Sequence, residues 1–521
     1  MAIVLAILPA AGHDQLWFLL MAQRWLHGGV LYGPEAFDSN TPAIVWLSAI
    51  PVALAEWLHV SVPWSAKLMM ALLEAAVAVL CRTVLRGLLG RGGAALRWYF
   101  AFVFVTLFSV VPARDFGQRD LMGALLCLPY ILVAAGPIAP VRMRTMTAVL
   151  AAVGVCVKPQ LALMPLGIEL AAFFLVRKRT AEETNQKSGD GEYPGSRFRF
   201  RFEMLLLPAL GALFVWAIRR FAPLYFSSAL PTTLHTYWAI GHLTFCQLVA
   251  ESVQLHVLLL IVALLAPLAW RARGELAGVI RPVLLMLMVA GLAGVVAYYQ
   301  QGTGWYYQQL PGITLLGAAL SLELLVLADP KTFVIPRWLP GATAGLCFLA
   351  VGLTLHFSGY PLTEERAYAI TTPDPSFFVG LAPGTAVATL TTSVDDAIEP
   401  VFRYRLTWAQ RMDNLWTLPA ILRFQEPGGT ITPPRRMNAE VVAQLALQQR
   451  RWMVEDLERW KPQLILVARC QSPEVHCQEM EDRNDDLLGF FLVDPAFRAI
   501  WQYYKPLRSV GGYDGYVRLA P

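Results

Sequence analysis

Residues 113–130 decide the fold class of this chain, and they read Ala-Arg-Asp-Phe-Gly-Gln-Arg-Asp-Leu-Met-Gly-Ala-Leu-Leu-Cys-Leu-Pro-Tyr. Four charged residues separate two apolar segments here: Arg114, Asp115, Arg119 and Asp120. Charge is costly to bury in a bilayer, so a cluster with paired signs marks either a water-facing loop or a functional site at a membrane boundary. We interpret it as a functional site.

The composition supports a membrane protein. Of the 521 residues, 56% are hydrophobic and only 15% are charged, whereas a soluble domain has roughly 25% charged residues. We therefore predict a polytopic α-helical membrane protein. The chain is basic, with a pI near 8.8, but its basic residues lie in short loops between apolar segments, which argues against nucleic-acid binding. The seven cysteines show no zinc or haem spacing, so the sequence requires no cofactor and gives no support for a divalent metal.

About eleven transmembrane helices are predicted within residues 1–357. A crossing needs about 20 residues, so the apolar residues 1–12 read as a first helix clipped by the start of the sequence and ending at Gly12-His13-Asp14. The alternative is one helix from Met1 to Ala22 with Asp14 inside it; we prefer the break, because a buried aspartate costs several kcal/mol. The later candidate spans are 66–81, 98–112, 121–136, 145–157, 161–176, 203–221, 252–270, 282–299, 309–328 and 338–357.

The basic residues orient these helices. If residues 43–59 do not span, 18 of the 25 basic residues before residue 358 fall in loops on one side, which the positive-inside rule assigns to the cytoplasm. If 43–59 did span, those 18 would lie outside. We therefore predict that 43–59 lies along the outer face of the membrane. The same topology puts 177–202 in the cytoplasm, where its composition predicts a disordered loop, and puts 358–521 on the outer side.

The region 13–64 is predicted to be a periplasmic first loop with juxtamembrane helices. Residues 15–27 carry Trp17, Phe18, Met21 and Trp25 on a helical period, which is typical of a helix lying in the membrane interface. A polar loop with turn residues follows, from Gly28 to Pro42.

The C-terminal portion, 358–521, is predicted to be a small α/β domain. Its apolar patterning predicts a helix over 439–460. It also predicts four strands, at Thr385–Thr391, Gln463–Ala468, Leu487–Val493 and Tyr516–Leu519. Cys470 and Cys477 would lie in an oxidising compartment, so we expect a disulfide between them.

The predicted outer face gathers the groups that a sugar transfer from a lipid phosphate requires. A carboxylate can take the proton of an acceptor hydroxyl as a general base. Cations can stabilise the negative charge that grows on a departing phosphate. Guanidinium groups bind phosphate in a bidentate manner, which suits Arg114 and Arg119 to that role.

The chain resembles the GT-C superfamily of integral-membrane glycosyltransferases over roughly residues 1–357, and most of all bacterial lipid-linked aminoarabinose, mannosyl and arabinofuranosyl transferases. The resemblance lies in the order of five motifs. They are His13-Asp14; Gly28-Gly29-Val-Leu-Tyr32 with Asp38-Ser-Asn40-Thr-Pro42; Asp115-Phe-Gly-Gln-Arg119-Asp120; Lys158-Pro159; and Trp305-Tyr306-Tyr307-Gln308-Gln309-Leu-Pro311.

The resemblance implies a function and roles for individual residues. It implies a bacterial inner-membrane enzyme that transfers a hexose or pentose from a polyprenyl-phosphate donor to a glycan, lipid or protein acceptor. Asp14 would be the catalytic base and Asp115 would position the acceptor. The implied substrate-binding residues are Arg114, Arg119, Asp120, Lys158, Asp38, Tyr306 and Tyr307.

Other interpretations stay open at this point. The charges of 114–120 could neutralise one another at a helix start, with Asp120 as the helix cap. Lys158 could be a snorkelling lysine, and Tyr306 and Tyr307 could belong to an interfacial aromatic belt. For the whole chain, the rivals are a secondary transporter, which would need internal repeats, and a non-catalytic binding or transport partner in cell-envelope polysaccharide assembly.

Overall fold

The computed structural model describes residues 12–89, 94–112, 115–136, 139–173, 201–241, 243–273, 275–328, 373–392, 398–424, 434, 437–469 and 486–519. Residues 1–11, the disordered loop predicted over 177–202 up to residue 200, the predicted span 338–357 and the Cys470–Cys477 pair lie outside these residues.

The chain divides into two compact units. Unit 1 comprises Met1–Pro9, Lys67–Trp216 and Leu243–Ser358; unit 2 comprises Ala10–Ala66, Ala217–His242 and Gly359–Pro521. The predicted boundary between residues 357 and 358 stays a prediction. The first loop and a short central segment belong with the C-terminal portion, although the sequence analysis had placed them in the membrane module.

Helices dominate the first two thirds of the described chain. They are α1 His13–Leu26, α2 Pro42–Leu58, α3 Val62–Leu89, α4 Ala94–Val105 with a π-helical turn Thr106–Val110, α5 Arg119–Ala135, α6 Val141–Val157, α7 Pro159–Phe173, α8 Glu203–Phe221, α9 Leu230–Thr236, α10 Phe245–Glu251, α11 Val253–Arg271, α12 Glu275–Gln301 and α13 Tyr306–Leu327.

Five of the described helices are long and apolar enough to cross a membrane: Val62–Gly87, Glu203–Phe221, Val253–Arg271, Leu276–Gln301 and Tyr306–Leu327. Shorter apolar helices or helical segments overlap the predicted spans at 98–112, 121–136 and 145–157, and α7 overlaps the predicted span at 161–176 up to Phe173, where this described range ends. The total of about eleven spans stays a prediction. The alternative of one helix from Met1 to Ala22 is wrong, because α1 begins at His13 and Gly12 has extended backbone angles. The first helix predicted over residues 1–12 lies outside the described residues up to residue 11.

Two glycines permit a close contact between helices α5 and α6 in unit 1. A Cβ at Gly154 of α6 would lie 2.9 Å from the carbonyl oxygen of Gly123 in α5 and 3.3 Å from its Cα. Close backbone approach of this kind requires small residues at a helix crossing. Asp120 stands one turn before Gly123 and Lys158 one turn after Gly154, so the crossing brings both charged residues to one level of the helix pair.

Unit 2 contains a five-stranded mixed sheet. Its strands are β1 Ala386–Leu390, β2 Thr407–Trp408, β3 Leu464–Ala468, β4 Tyr504–Val510 and β5 Tyr513–Arg518, in the order β2-β1-β3-β5-β4. The β1 strand pairs in parallel with β2 and β3, and β5 is antiparallel to both of its neighbours. The helices of this portion are α14 Glu399–Arg403, α15 Leu418–Phe424, α16 Ala439–Trp460, α17 Leu487–Leu492 and α18 Pro495–Trp501.

The predicted helix 439–460 and the strands predicted near 386 and 464 are confirmed. The strand predicted at Leu487–Val493 is wrong, because these residues form helix α17. Asp486 caps this helix by accepting a hydrogen bond from the Gly489 amide at 2.8 Å. Its short apolar run buries Phe491 fully, and a short buried run does not distinguish a helix from a strand.

The α5–α6 crossing gives a testable stability difference. We expect Gly154→Ala to destabilise the protein by about 1–3 kcal/mol, because the added methyl meets backbone atoms and overpacks the crossing. Gly211→Ala is the matched control in α8, since a Cβ there meets nothing within 4 Å. Thermal unfolding of both variants in detergent measures the difference, and equal midpoints would contradict the crossing as described.

Candidate functional site

Buried charges collect in unit 1 where α5 begins and α6 ends. Asp120 is fully buried, Arg119 and Lys158 are each 5% exposed, and Asp115 is 6% exposed. We name these four residues the Lys158 cluster. Ionisable groups are seldom this well buried without a partner or a function. Arg114 lies outside the described residues, so its predicted place beside this cluster is not described.

An ion pair holds the centre of the Lys158 cluster. The ammonium of Lys158 lies 3.0 Å from Oδ2 of Asp120. Asp120 is not the helix cap, because Gln118 occupies the N-cap position of α5 and its side chain makes no capping bond. Lys158 is also too deeply buried to be a snorkelling lysine, which would keep its head group in water. Neither the helix-cap interpretation of Asp120 nor the snorkelling interpretation of Lys158 therefore accounts for the arrangement of these charges.

The aromatic motif before α13 packs against the same cluster. The Lys158 ammonium lies 5.9 Å from the ring centre of Tyr307, within range of a cation–π attraction. Tyr306 donates a hydrogen bond to the Val111 carbonyl at 3.0 Å, and Asp115 acts on it electrostatically. Tyr306 and Tyr307 therefore belong to the surroundings of the buried Lys158 cluster and not to an exposed aromatic belt at the membrane interface.

Asp14, the predicted base, lies in unit 2 in the first turn of α1. Its neighbour His13 is buried, and Nε2 of His13 lies 2.8 Å from Oδ2 of Asp413. This contact joins residues 400 positions apart in the chain. The N-terminus of α1, and with it the Asp14 backbone, is therefore anchored to the C-terminal portion.

The α1 helix is more deeply buried than the sequence predicts for an interfacial helix. Its residues from Leu16 to Ala22 are all buried. Trp17 donates to Oδ2 of Asp38 at 2.9 Å, and Oδ1 of Asp38 accepts from the backbone and side-chain nitrogens of Asn40 at 2.6 and 2.7 Å. Both carboxylate oxygens of Asp38 thus shape the 28–42 loop, a structural role beside the substrate-binding role predicted for it.

Arg24 ties the end of α1 to two other segments. Its guanidinium donates to the carbonyl oxygens of Glu35 at 2.5 Å and Gln410 at 2.7 Å, and also to the Trp408 carbonyl. Burial lowers the pKa of Arg24 to about 10, so it is still charged at neutral pH. Arg24 also lies over the Trp460 ring, 5.0 Å from its centre.

Acidic residues complete this network. Burial raises the pKa of Asp456 to about 6, although the Arg411 guanidinium, 2.8 Å away, opposes the shift. For Glu35, burial raises the pKa, but hydrogen bonds from the Val30 amide and Arg459 outweigh burial and leave it below its usual value. Charged contacts therefore connect both the first loop, through Glu35, and the segment 408–414, through Arg411, to helix α16.

Sequence reasoning missed Asp413, Arg411 and Arg24. The only signal was the polar run Gln410-Arg411-Met412-Asp413-Asn414 between tryptophans. Gln410 and Asp413 in this run contact Arg24 and His13, which lie 386 and 400 positions away in the chain. Among the residues that the structure describes, no group of three or more His, Cys, Asp and Glu side chains could hold a metal ion.

No protein-family model and no curated protein sequence matches the chain. Its structure is similar to that of ArnT from Cupriavidus metallidurans bound to undecaprenyl phosphate, with a TM-score of 0.49 and 13% identity over 99% of this chain and 96% of that one. It is also similar to the arabinofuranosyltransferase AftD from Mycobacteria, with a TM-score of 0.38 and 13% identity over 99% of this chain and 41% of that one.

The buried ion pair predicts an asymmetric response to mutation. We expect Lys158→Met to cost about 3–5 kcal/mol of stability, because it leaves the Asp120 carboxylate buried without this partner. The double variant Asp120→Asn/Lys158→Met should lose less than the sum of the two single variants. Unfolding in detergent provides the double-mutant cycle.

Arg451→Met supplies the control for that cycle. Arg451 pairs with Glu455 at 2.8 Å, but its side chain is 78% exposed. An exposed pair of this kind contributes about 0.5 kcal/mol or less. Strict additivity of the Asp120 and Lys158 variants would contradict the coupling.

Proposed function

We propose that this chain is a glycosyltransferase of the bacterial inner membrane that moves a hexose or pentose from a polyprenyl-phosphate donor to a cell-envelope glycan, lipid or protein acceptor. The observation that carries the proposal is the Lys158 cluster, a buried group of cations and carboxylates at the end of two apolar helices. Keeping these charges out of water is unfavourable, which is typical of a functional site, and Arg119 and Lys158 offer two cations to an anionic group of a substrate.

The chemistry assigns a task to the cations of this cluster. In the transfer, the bond between the sugar C1 and the phosphate oxygen breaks, and a bond forms between C1 and the acceptor oxygen. The departing phosphate takes both electrons of the broken bond and gains negative charge. Arg119 and Lys158 are proposed to stabilise that charge, since fixed cations in a buried site act strongly on a developing anion. Asp120 would hold Lys158 in place.

Proton transfer is assigned to Asp14. The acceptor hydroxyl loses its proton as its oxygen bonds to C1, and a positioned carboxylate takes up such a proton efficiently. The first turn of α1 holds Asp14, and the His13–Asp413 contact fixes where that turn begins. Asp115 is proposed to position the acceptor. The periplasmic location of the chemistry and of residues 358–521 belongs to this proposal and is supported by the charge bias of the loops.

Transfer from a panel of radiolabelled polyprenyl-phosphate sugars tests the activity. Membranes containing the wild-type protein should transfer at least one sugar. Asp14→Asn should lower the rate about 10²–10⁴-fold because the base is lost, and Arg119→Ala about 10²–10³-fold because charge stabilisation is lost.

Two variants serve as controls for this assay. Glu56→Gln changes an acidic residue of unit 2 that pairs with His27 at 3.5 Å, and Arg142→Ala changes an exposed arginine at the start of α6. Both should keep wild-type rates. Failure of the wild-type protein to transfer from any donor would refute the proposal, and full activity of Asp14→Asn would move the base to another carboxylate.

The His13–Asp413 contact predicts a separate kinetic effect. Asp413→Ala should lower kcat roughly 100-fold, because a small displacement of a catalytic group is enough for such a loss, while KM for the donor changes little. Asp413→Asn, which keeps an acceptor oxygen for His13, should retain more activity.

A variant of Asp456, another buried aspartate of unit 2, distinguishes a positioning role of Asp413 from a general effect on protein stability. Asp456→Asn removes a carboxylate paired with Arg411, so it should lower the unfolding temperature without a selective loss of kcat. Equal kinetic profiles for the Asp413 and Asp456 variants would show that Asp413 has only a structural role.

A further inference from the structure

Unit 1 contains a cavity of about 940 Å³ among helices α3, α4, α5, α12 and α13. This volume lies within the range of about 300–1,000 Å³ that is typical of ligand sites. The wall is almost entirely apolar, and representative lining residues are Val79, Phe104, Phe108, Leu132 and Leu287. An apolar cavity of this size in a membrane protein suits hydrocarbon chains better than water.

Two arginines interrupt the apolar lining. Arg82 and Arg86 both line the cavity and both are exposed. They stand four residues apart in α3, so they share one face of the helix. Among the residues that the structure describes, none forms an ion pair with either guanidinium. Ser321 is a further polar lining residue.

The combination of apolar wall and paired guanidinium groups defines the chemistry of the occupant. Two guanidinium groups one turn apart can bind the oxygens of one phosphate. Lining residues of α3 run from Ala78 to Arg86, which is about 12 Å along a helix at about 1.5 Å per residue. A molecule that fits must therefore carry an anionic head next to hydrocarbon about that long.

We propose that this cavity binds an anionic phospholipid, with its phosphate at Arg82 and Arg86 and an acyl chain along Phe104, Phe108 and Leu132. Basic pockets between transmembrane helices are typical sites for acidic lipid head groups. The site is distinct from the proposed sugar-transfer chemistry, because Arg82 and Arg86 lie in the last turns of α3, at the end of the helix that the charge bias assigns to the cytoplasm. The lipid would cover apolar surface and neutralise two cations.

Binding of phosphatidylglycerol to the purified full-length protein in neutral detergent tests the proposal, with native mass spectrometry as the readout. We expect phosphatidylglycerol to bind more tightly than phosphatidylcholine, and inorganic phosphate at millimolar concentration not to displace it. Arg82→Ala/Arg86→Ala should weaken binding roughly tenfold or more, since each basic residue near a lipid surface contributes measurably.

A second variant tests the cavity rather than the charge. Ala101 lines the cavity and is exposed, so Ala101→Trp should fill part of the space without overpacking a buried position. It should weaken phosphatidylglycerol binding while both arginines remain. A lower affinity in both variants, with unfolding temperatures near that of the lipid-free wild-type protein, would establish the site.

The matched control is Arg271→Ala/Arg273→Ala. These exposed arginines also belong to a predicted cytoplasmic loop but do not line the cavity, so their loss should leave the affinity within about twofold of wild type. An equal loss in this control, unchanged binding by Ala101→Trp, or displacement by inorganic phosphate would overturn the proposal. None of these readouts depends on sugar transfer, so they are independent of the proposed enzymatic function.

Discussion

The cost of holding charge away from water constrains unit 1 more than any other factor. Asp120 and Lys158 are both buried, and the 3.0 Å contact between their side chains offsets part of the cost of taking two charges out of water. The contact in turn requires α5 and α6 to approach closely, which Gly123 and Gly154 permit. Because these two glycines have no side chains, the helices can cross closely, and the crossing in turn allows the two charged side chains to pair.

In unit 2, hydrogen bonds satisfy the polar side chains that are buried. Its first helix is buried although it contains His13, Trp17 and Arg24, and each of these residues has a polar partner. Backbone carbonyl groups of the first loop and of the segment 408–410 satisfy Arg24. A buried donor without an acceptor would cost about 1–3 kcal/mol, so these segments depend on one another for their conformation.

The sequence predicted the helices well because their signals are local. Apolar length located the five long apolar helices, and the expectation that α1 is separate from the residues before Gly12 followed from the cost of a buried aspartate. The helix over 439–460 followed from its periodicity. The error at 487–493 arose because a short buried run has the same composition in a helix and in a strand, and the cap at Asp486 is the feature that decides between them.

The site was only partly predictable: Asp120 and Lys158 were identified as charged residues, but their pairing depends on a tertiary crossing. Asp413 carried no local signal, since its partner lies 400 residues away.

The distance between His13 and Asp413 along the chain also has a consequence for biosynthesis. A ribosome adds roughly 5–20 residues per second, so roughly 20–80 s separate the appearance of His13 from that of Asp413. During that interval the first helix has been made, but the acceptors for His13 and the segment that binds Arg24 have not. The N-terminal helix therefore reaches its final surroundings only after most of the chain has been synthesised, and a nascent chain truncated before residue 408 would expose buried polar groups that a folding factor could recognise.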